Sequence, residues 1–540
     1  MVRPDRAIEL MKIYRFSIAY NTVQTRHCRL IIMSWFDRSD FSPHQLLRTK
    51  VRTIKPLCCS TKNFTLLTSM LFPTYQFLVF FLIIFSAILS LKPKVDLYKI
   101  VLLISSLLFY SFWSLDFLGL LILSTVYNYI ILRAVDRGKQ PKLAFIFGII
   151  VNIVNLGIFK YCNFFVTSLF EVLNQLKIPA NFQILQIIAP VGISFYTFRI
   201  ISHLIDCYQQ KISCPKFIDY ATYITYFPQI ASGPISRPDE FYSQLNSPKK
   251  YDYKIEEVIV LILSGLFKKY TLASFLFNFT QLPFKVPQQY SSIDLILAAI
   301  SYSCLIYVDF SGYSDLANGI SCLLGFKPIA NFNMPYRSLS LQEFWKRWHI
   351  SLSEWLRDYL YFPLGGNKYG KLRKYVNLLI TMAIGGFWHG AGLNFIFWGT
   401  IHGLGLIVNH LCKDIPQAIH LKLDYAFPRF AKFCSWLLTF TFVTCSWVFF
   451  GTPNWKTAIG FFQGIFRFSA ATVQFNFWQL YLVIAVIGAI NLWGEIISQV
   501  LQTILSLNNL FFRVVLVSLL VYAILMLGPS TVPPFIYFNF

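Results

Sequence analysis

Charge is scarce in this sequence: 13% of its 540 residues are Asp, Glu, Lys or Arg, about half the share found in soluble globular chains. With 56% apolar and 18% aromatic residues, that shortage excludes an ordinary soluble domain. Acidic residues are scarcest, 24 against 47 basic, for a formal net charge of +23. In a soluble chain such an excess would suggest nucleic acid. Here the basic residues flank apolar runs, where they orient helices and meet anionic lipid, so no nucleic-acid partner is expected. No GxSxG, complete P-loop or HExxH occurs, which removes nucleophile-elbow hydrolases, P-loop NTPases and zincins. The eleven cysteines form no CxxC pair and read as small residues of apolar runs, so neither a metal site nor a disulfide framework is expected. No internal repeat or inverted pair of broken helices is visible, which weakens a secondary-transporter reading.

What the chain has instead is a series of apolar runs of the length an α-helix needs to cross a bilayer. They lie near 75–91, 97–113, 115–132, 143–160, 184–206, 217–231, 256–278, 291–310, 376–391, 394–411, 431–450, 475–498 and 510–529. Several are short or carry Pro and Gly, so the expectation is an all-α polytopic membrane protein of about 11 to 13 transmembrane or re-entrant helices. The loop with Arg133, Arg137, Lys139 and Lys142 is assigned to the cytoplasm by the positive-inside rule. Residues 1–69 differ: they hold twelve Lys or Arg against four Asp or Glu and no spanning run. Counting spans back from 133–142 places this basic segment outside, which is unfavourable. Either residues 1–69 are an extension foreign to the native protein, with an alternative start at Met70, or the count is out by one span; the expectation is the former, with one membrane domain over 70–540.

Between Pro335 and Lys374 the pattern breaks: eight basic residues, among them Lys346, Arg347 and Arg357, stand against three acidic ones. Phe344, Trp348, Leu352, Trp355, Leu356, Tyr359 and Leu360 recur there at helical spacing, which predicts an amphipathic helix at the bilayer surface, ended by Gly365 and Gly366. The basic residues would attract an anionic donor.

Three features carry candidate chemistry. His389 lies between glycines at the end of an apolar run, in GGFWHGAG; an ionisable group inside a membrane costs roughly 2.5–3.5 kcal/mol or more and is functional by default. His349 lies on the amphipathic segment beside Trp348, and His402 follows in WGTIHGLG. A neutral imidazole acting on a hydroxyl suits these histidines better than zinc, because no carboxylate sits one turn from His389. His203 reads as a satisfied core residue, and His27, His44, His410 and His420 as residues without a catalytic setting. The third feature is YVDFSGYSDLANG, where Asp309, Ser311, Tyr313 and Asp315 surround Gly312; it reads as a polar turn within the bilayer, either a satisfied helix break or a cavity wall.

The stretches DFSGYSDLANG, NFNMPYRSLSLQEFWKRWHISLSEWLRDYLYFPLGG and GGFWHGAGLNFIFWGTIHG closely resemble the membrane-bound O-acyltransferase superfamily, and more narrowly its alginate O-acetylase branch. PVGISFYTF, YFPQIASGPI and PPFIYFNF agree, so the likeness covers about 70–540. It implies a bacterial inner-membrane helix bundle around a funnel. His389 of the WHG motif is then the catalytic residue, either a general base or otherwise assisting transfer. His349 of FWKRWHIS matches the second signature position in the active-site channel and is the second catalytic candidate, while Trp348, Trp388, His402 and the 309–315 cluster would line the substrate channel. It also implies no tightly bound cofactor, acetyl-coenzyme A or an acyl carrier as cytoplasmic donor, a polysaccharide acceptor and a periplasmic esterase-like partner. One departure is Gly451, where the family often has arginine after WVFF. D-alanyl transfer to teichoic acid, a polysaccharide flippase and a non-catalytic scaffold remain rival readings.

Overall fold

The computed structural model describes residues 72–91, 94–178, 187–247, 253–413, 428–467, 477–507, 509–529, 533 and 535–539. Residues 1–69 and the alternative start at Met70 lie outside them. Among the described residues the chain is helical, without a strand. In order, the helices are α1 (Tyr75–Leu91), α2 (Val95–Ser111), α3 (Leu115–Arg137), α4 (Pro141–Leu156), α5 (Cys162–Gln175), α6 (Ile193–Tyr208), α7 (Phe217–Thr225), α8 (Phe227–Ile230), α9 (Pro238–Asn246), α10 (Ile255–Leu266), α11 (Ser274–Lys285) and α12 (Ser292–Leu324). They continue with α13 (Leu341–Arg347), α14 (Ile350–Leu356), α15 (Gly370–His389), α16 (Leu393–Lys413), α17 (Pro428–Gly451), α18 (Trp455–Phe466), α19 (Phe477–Leu507) and α20 (Leu510–Leu527). Wide turns of π type join α4 to α5 (Gly157–Tyr161), join α10 to α11 (Phe267–Ala273) and extend α14 (Arg357–Tyr361).

Eight helical runs among the described residues are long and apolar enough to cross a membrane: α3, α4–α5, α10–α11, α12, α16, α17, α19 and α20. The chain is a polytopic membrane protein. The runs expected near 97–113, 184–206, 217–231 and 376–391 are also helical, as α2, α6, α7 with α8, and α15, but they are shorter or more polar. Helices α6, α7 and α8 are almost wholly buried by protein, as short helices at membrane depth must be. Cys207, Cys214, Cys304 and Cys322 are buried as expected, whereas Cys412, Cys434 and Cys445 are exposed.

The polar turn expected at 309–315 does not exist. The 33-residue α12 runs through it, from a capping box between Ser291 and Asp294 to the left-handed Gly325 (φ 104°). The helix need not break because its carboxylates find cations on the neighbouring π turn. Asp309 pairs with Lys269, and Asp315 accepts from Lys268 Nζ at 2.7 Å and Ser264 Oγ at 3.0 Å. Gly312 permits this approach, since a Cβ there would stand 2.9 Å from both Lys268 Cβ and Lys269 N.

The segment expected as one surface helix is instead a hairpin, α13 and α14, broken at Trp348 and His349. Its apolar face is buried against protein: Phe344, Trp348, Leu352, Trp355 and Leu356 are all buried. His349 takes left-handed backbone angles (φ 42°, ψ 54°), which no continuous helix tolerates. The extended segment before α13 braces the break, as Asn333 N donates to Arg347 O and Ile350 N donates to Asn331 O, both at 2.9 Å.

Contacts gather the basic loops at one end of the molecule. Cys207 at the end of α6 meets Asp136 at the end of α3, and Tyr359 donates to Asp206 at 2.6 Å. Arg237 pairs with Asp358 at 2.7 Å, and Lys374 meets His410 at 3.2 Å. The 133–142 loop, Lys211, Arg357 and the basic start of α15 thus share one face. His389 ends α15, about 28 Å along its axis by the rise per residue.

Candidate active site

Helix α15 delivers His389 at its last turn, where carbonyls have no partner within the helix. They are satisfied from the π turn Gly157–Tyr161. Lys160 Nζ donates to the carbonyls of Trp388 (2.5 Å) and His389 (3.2 Å) and to Ser194 Oγ (3.2 Å), which uses all three of its N–H groups. The next residue, Tyr161, donates its hydroxyl to Phe387 O at 3.0 Å. Glycines bring α16 against the same turn: a Cβ on Gly386 would stand 2.9 Å from Gly399 Cα and closer still to Phe395 O. The glycines around WHG therefore permit the close backbone approach that their spacing suggests.

His349, at the apex of the α13–α14 hairpin, faces His389 with ring centroids 6.5 Å apart. Both rings are buried. His349 Nδ1 lies 3.1 Å from Asn331 Oδ1, while its Nε2 and His389 Nδ1 have no hydrogen-bond partner. Buried polar atoms are nearly always paired, so an unpartnered ring nitrogen on each of two neighbouring buried histidines makes the pair the candidate site. Its walls are aromatic. Around His389 stand Trp388 (5.0 Å), Trp398 (5.2 Å), Phe450 (5.3 Å) and Tyr537 (5.6 Å), and Phe310 of α12 lies 4.6 Å from His349.

The remaining expected channel residues divide. Trp388 borders His389 and stacks on Phe198 at 4.9 Å. Trp348 points into the core against Trp447 (5.0 Å) and Phe332 (5.0 Å). His402 is sealed behind Trp398: it accepts from Trp345 Nε1 at 3.3 Å and meets Ser446 Oγ at 2.8 Å through Nε2, so both nitrogens are occupied. Its expected place in the channel is thus corrected to a core hydrogen bond. Asp315 is tied to Lys268, away from the two histidines. Ser311 is buried on α12. Tyr313 is stacked between Phe72 and Phe535, each at 4.9 Å. Asp309 does contribute to the chamber, though indirectly: it accepts from Ile536 N at 2.9 Å, which holds the segment carrying Tyr537 beside His389.

Of the three expected donor-binding cations, Arg347 pairs with Glu343 (2.9 Å), and Arg357 with Asp358 (2.7 Å) and Glu354 (4.0 Å). Lys346 is exposed. No group of three or more His, Cys, Asp or Glu residues that could hold a metal occurs among the described residues.

Sequence reasoning missed Asn331, Lys160, Lys269 and Tyr537. Lys160, a lone cation within an apolar run, and Lys269, one of an adjacent lysine pair in another, carried a readable signal. Asn331 carried none, because its partner is 18 residues away, beyond α13.

The profile of the MBOAT, membrane-bound O-acyltransferase family matches residues 64–452, which include both open histidines. A peptidoglycan O-acetyltransferase from Helicobacter pylori is 36% identical over 399 residues, 68% of this chain and 73% of the relative. A probable alginate O-acetylase from Pseudomonas aeruginosa is 38% identical over 416 residues, 76% of each chain. A teichoic acid D-alanyltransferase from Streptococcus thermophilus is 32% identical over 234 residues, 41% of this chain and 56% of that protein.

Proposed function

The chain belongs to the membrane-bound O-acyltransferase family, and from that premise we propose that it transfers acetyl groups for O-acetylation of an exopolysaccharide, in the inner membrane of a bacterium. The observation that carries the reading is the pair of buried imidazoles, His389 and His349, whose centroids stand 6.5 Å apart and each of which has a ring nitrogen without a hydrogen-bond partner. In the reaction, an acetyl thioester from coenzyme A or an acyl carrier meets a hydroxyl acceptor. A neutral imidazole takes the hydroxyl proton, the new C–O bond forms as the C–S bond breaks, and the proton passes to the departing thiolate. Such acid–base help is typically worth about 10² to 10⁴ in rate.

The bundle supports transfer across the membrane. Basic loops at one end would face the cytoplasm and draw an anionic donor, while His389 lies at the far end of α15. Arg347 and Arg357 already have carboxylate partners, so they would act through the collective field of that face, together with exposed Lys346. Delivery to the final polymer would use a periplasmic esterase-like partner. The relatives' names favour acetyl over D-alanyl transfer, because the O-acetylases cover more of the chain at higher identity.

The test is ester-linked acetate on secreted polysaccharide, comparing a deletion strain carrying the wild-type protein with one carrying His389→Ala at equal membrane abundance. Loss of acetate with polymer yield unchanged is expected. Retained acetate would remove His389 from the chemistry, and loss of the polymer itself would favour transport.

A further inference from the structure

His349 is held in a left-handed conformation (φ 42°), an arrangement that costs a non-glycine residue roughly 1 kcal/mol or more and persists only where its surroundings over-determine it. The residue that over-determines it is Asn331. Its backbone carbonyl accepts from Ile350 N at 2.9 Å, on the far side of the strained residue. Its side-chain oxygen meets His349 Nδ1 at 3.1 Å and accepts from Ser351 Oγ at 2.9 Å. Its amide nitrogen donates to Ser314 Oγ of α12, also at 2.9 Å. Ser351 Oγ in turn accepts from Ile235 N at 3.1 Å.

This chain of donors orients the amide. In the structure Ser351 Oγ accepts from Ile235 N and donates to Asn331 Oδ1, and Asn331 Nδ2 is turned to Ser314 Oγ, so the atom of Asn331 beside His349 is the oxygen. An amide oxygen only accepts. The proton of the neutral His349 ring must then sit on Nδ1, and Nε2 must carry a lone pair. That Nε2 is the atom left buried without a partner.

We propose that Asn331 is a positioning residue that locks His349 as the Nδ1–H tautomer, so that Nε2 faces the chamber as a proton acceptor for the incoming hydroxyl. The 6.5 Å between the two imidazole centroids leaves room for one interposed oxygen within hydrogen-bond reach of both rings. His349 then takes the hydroxyl proton, and His389 assists from the opposite wall. The titratable group facing His349 is His389; Phe310 and Ser351 present no charge, and Lys160 binds the His389 backbone from behind. This rests on the acyl-transfer reading for its chemistry, but the tautomer itself does not.

The experiment uses full-length protein labelled with nitrogen-15 histidine in detergent, with the His349 signals assigned by their loss in His349→Gln. Asn331→Ala and Asn331→Asp are compared with wild type, alongside acetyl transfer from radiolabelled acetyl-coenzyme A in membrane vesicles. The wild-type protein should show His349 protonated at Nδ1, and Asn331→Ala should shift the ring toward the other tautomer and lower kcat at least tenfold with KM little changed. Asn331→Asp keeps an acceptor, so it should retain the tautomer and more activity than Asn331→Ala. Its carboxylate favours the imidazolium, so the acid limb of the pH–rate profile should move up by about one unit or more. An Nε2–H tautomer in the wild-type protein, or a profile in Asn331→Asp that does not move, would overturn the proposal. An Nδ1–H tautomer in a wild-type protein that transfers no acetyl group from any thioester donor would leave the positioning intact and overturn the function.

Discussion

His389 and His402 are thirteen residues apart and share a wall: Trp398 lies 5.2 Å from the first ring and 4.9 Å from the second. Both are buried, and both follow a Trp- and Gly-rich stretch. Yet His402 spends both ring nitrogens on Trp345 and Ser446, whereas His389 keeps Nδ1 without a partner. The difference shows that burial of a histidine inside a membrane protein does not mark it for chemistry. What sets His389 apart is an unpartnered nitrogen beside a second ring that also has one, an arrangement that is costly to bury.

The comparison can be broken most sharply at the chamber itself. His389→Ala should lower acetate transfer by about 10² to 10⁴, measured as ester-linked acetate at equal membrane abundance; transfer within tenfold of wild type would erase the distinction. His349→Gln should lose about 10² or more in kcat, read by single-turnover acetyl transfer in vesicles. Lys160→Met comes next. It leaves the last carbonyls of α15 without their donor, and a buried carbonyl left unsatisfied costs about 1–3 kcal/mol. A lower thermal midpoint in detergent and a kcat reduced by about tenfold with little change in KM are expected, partly restored in Lys160→Arg. His402→Gln should have the smallest effect on chemistry. It keeps a donor and an acceptor, so activity per folded molecule should stay within about twofold of wild type while stability falls by about 1 kcal/mol, as measured by detergent unfolding. A large kcat loss there with stability unchanged would return His402 to the channel.

A second contrast explains why some features were legible and others not. Helices α12 and α20 both read as spans from their hydropathy, yet 83% of the α12 window is buried and 6% of the α20 window. What separates them is polar content. Helix α12 carries Asp294, Asp309, Asp315 and Asn318, whereas α20 carries Arg513 as its one charged residue. That polarity was visible along the chain, but it was read as a break in the helix rather than as the signature of an interior one. The cations that neutralise it, Lys268 and Lys269, belong to another helix, 47 and 40 residues before their partners. Lys269 lies within the apolar run near 256–278, where hydropathy alone hides its charge.

Composition and the length of the apolar runs alone settled that this is a multi-pass helical membrane protein. The WHG and WHIS motifs alone pointed to the two histidines that meet. These are local properties, since hydropathy and periodicity are carried by neighbours along the chain. The tertiary structure decided which ring nitrogens stay open, that the amphipathic stretch folds into a hairpin with His349 at its apex, and that Asp309 steadies the segment beside His389. Those outcomes depend on hydrogen-bond partners brought from 18 to 229 residues away, and a buried group's partner is fixed by packing in space rather than by its neighbours in sequence.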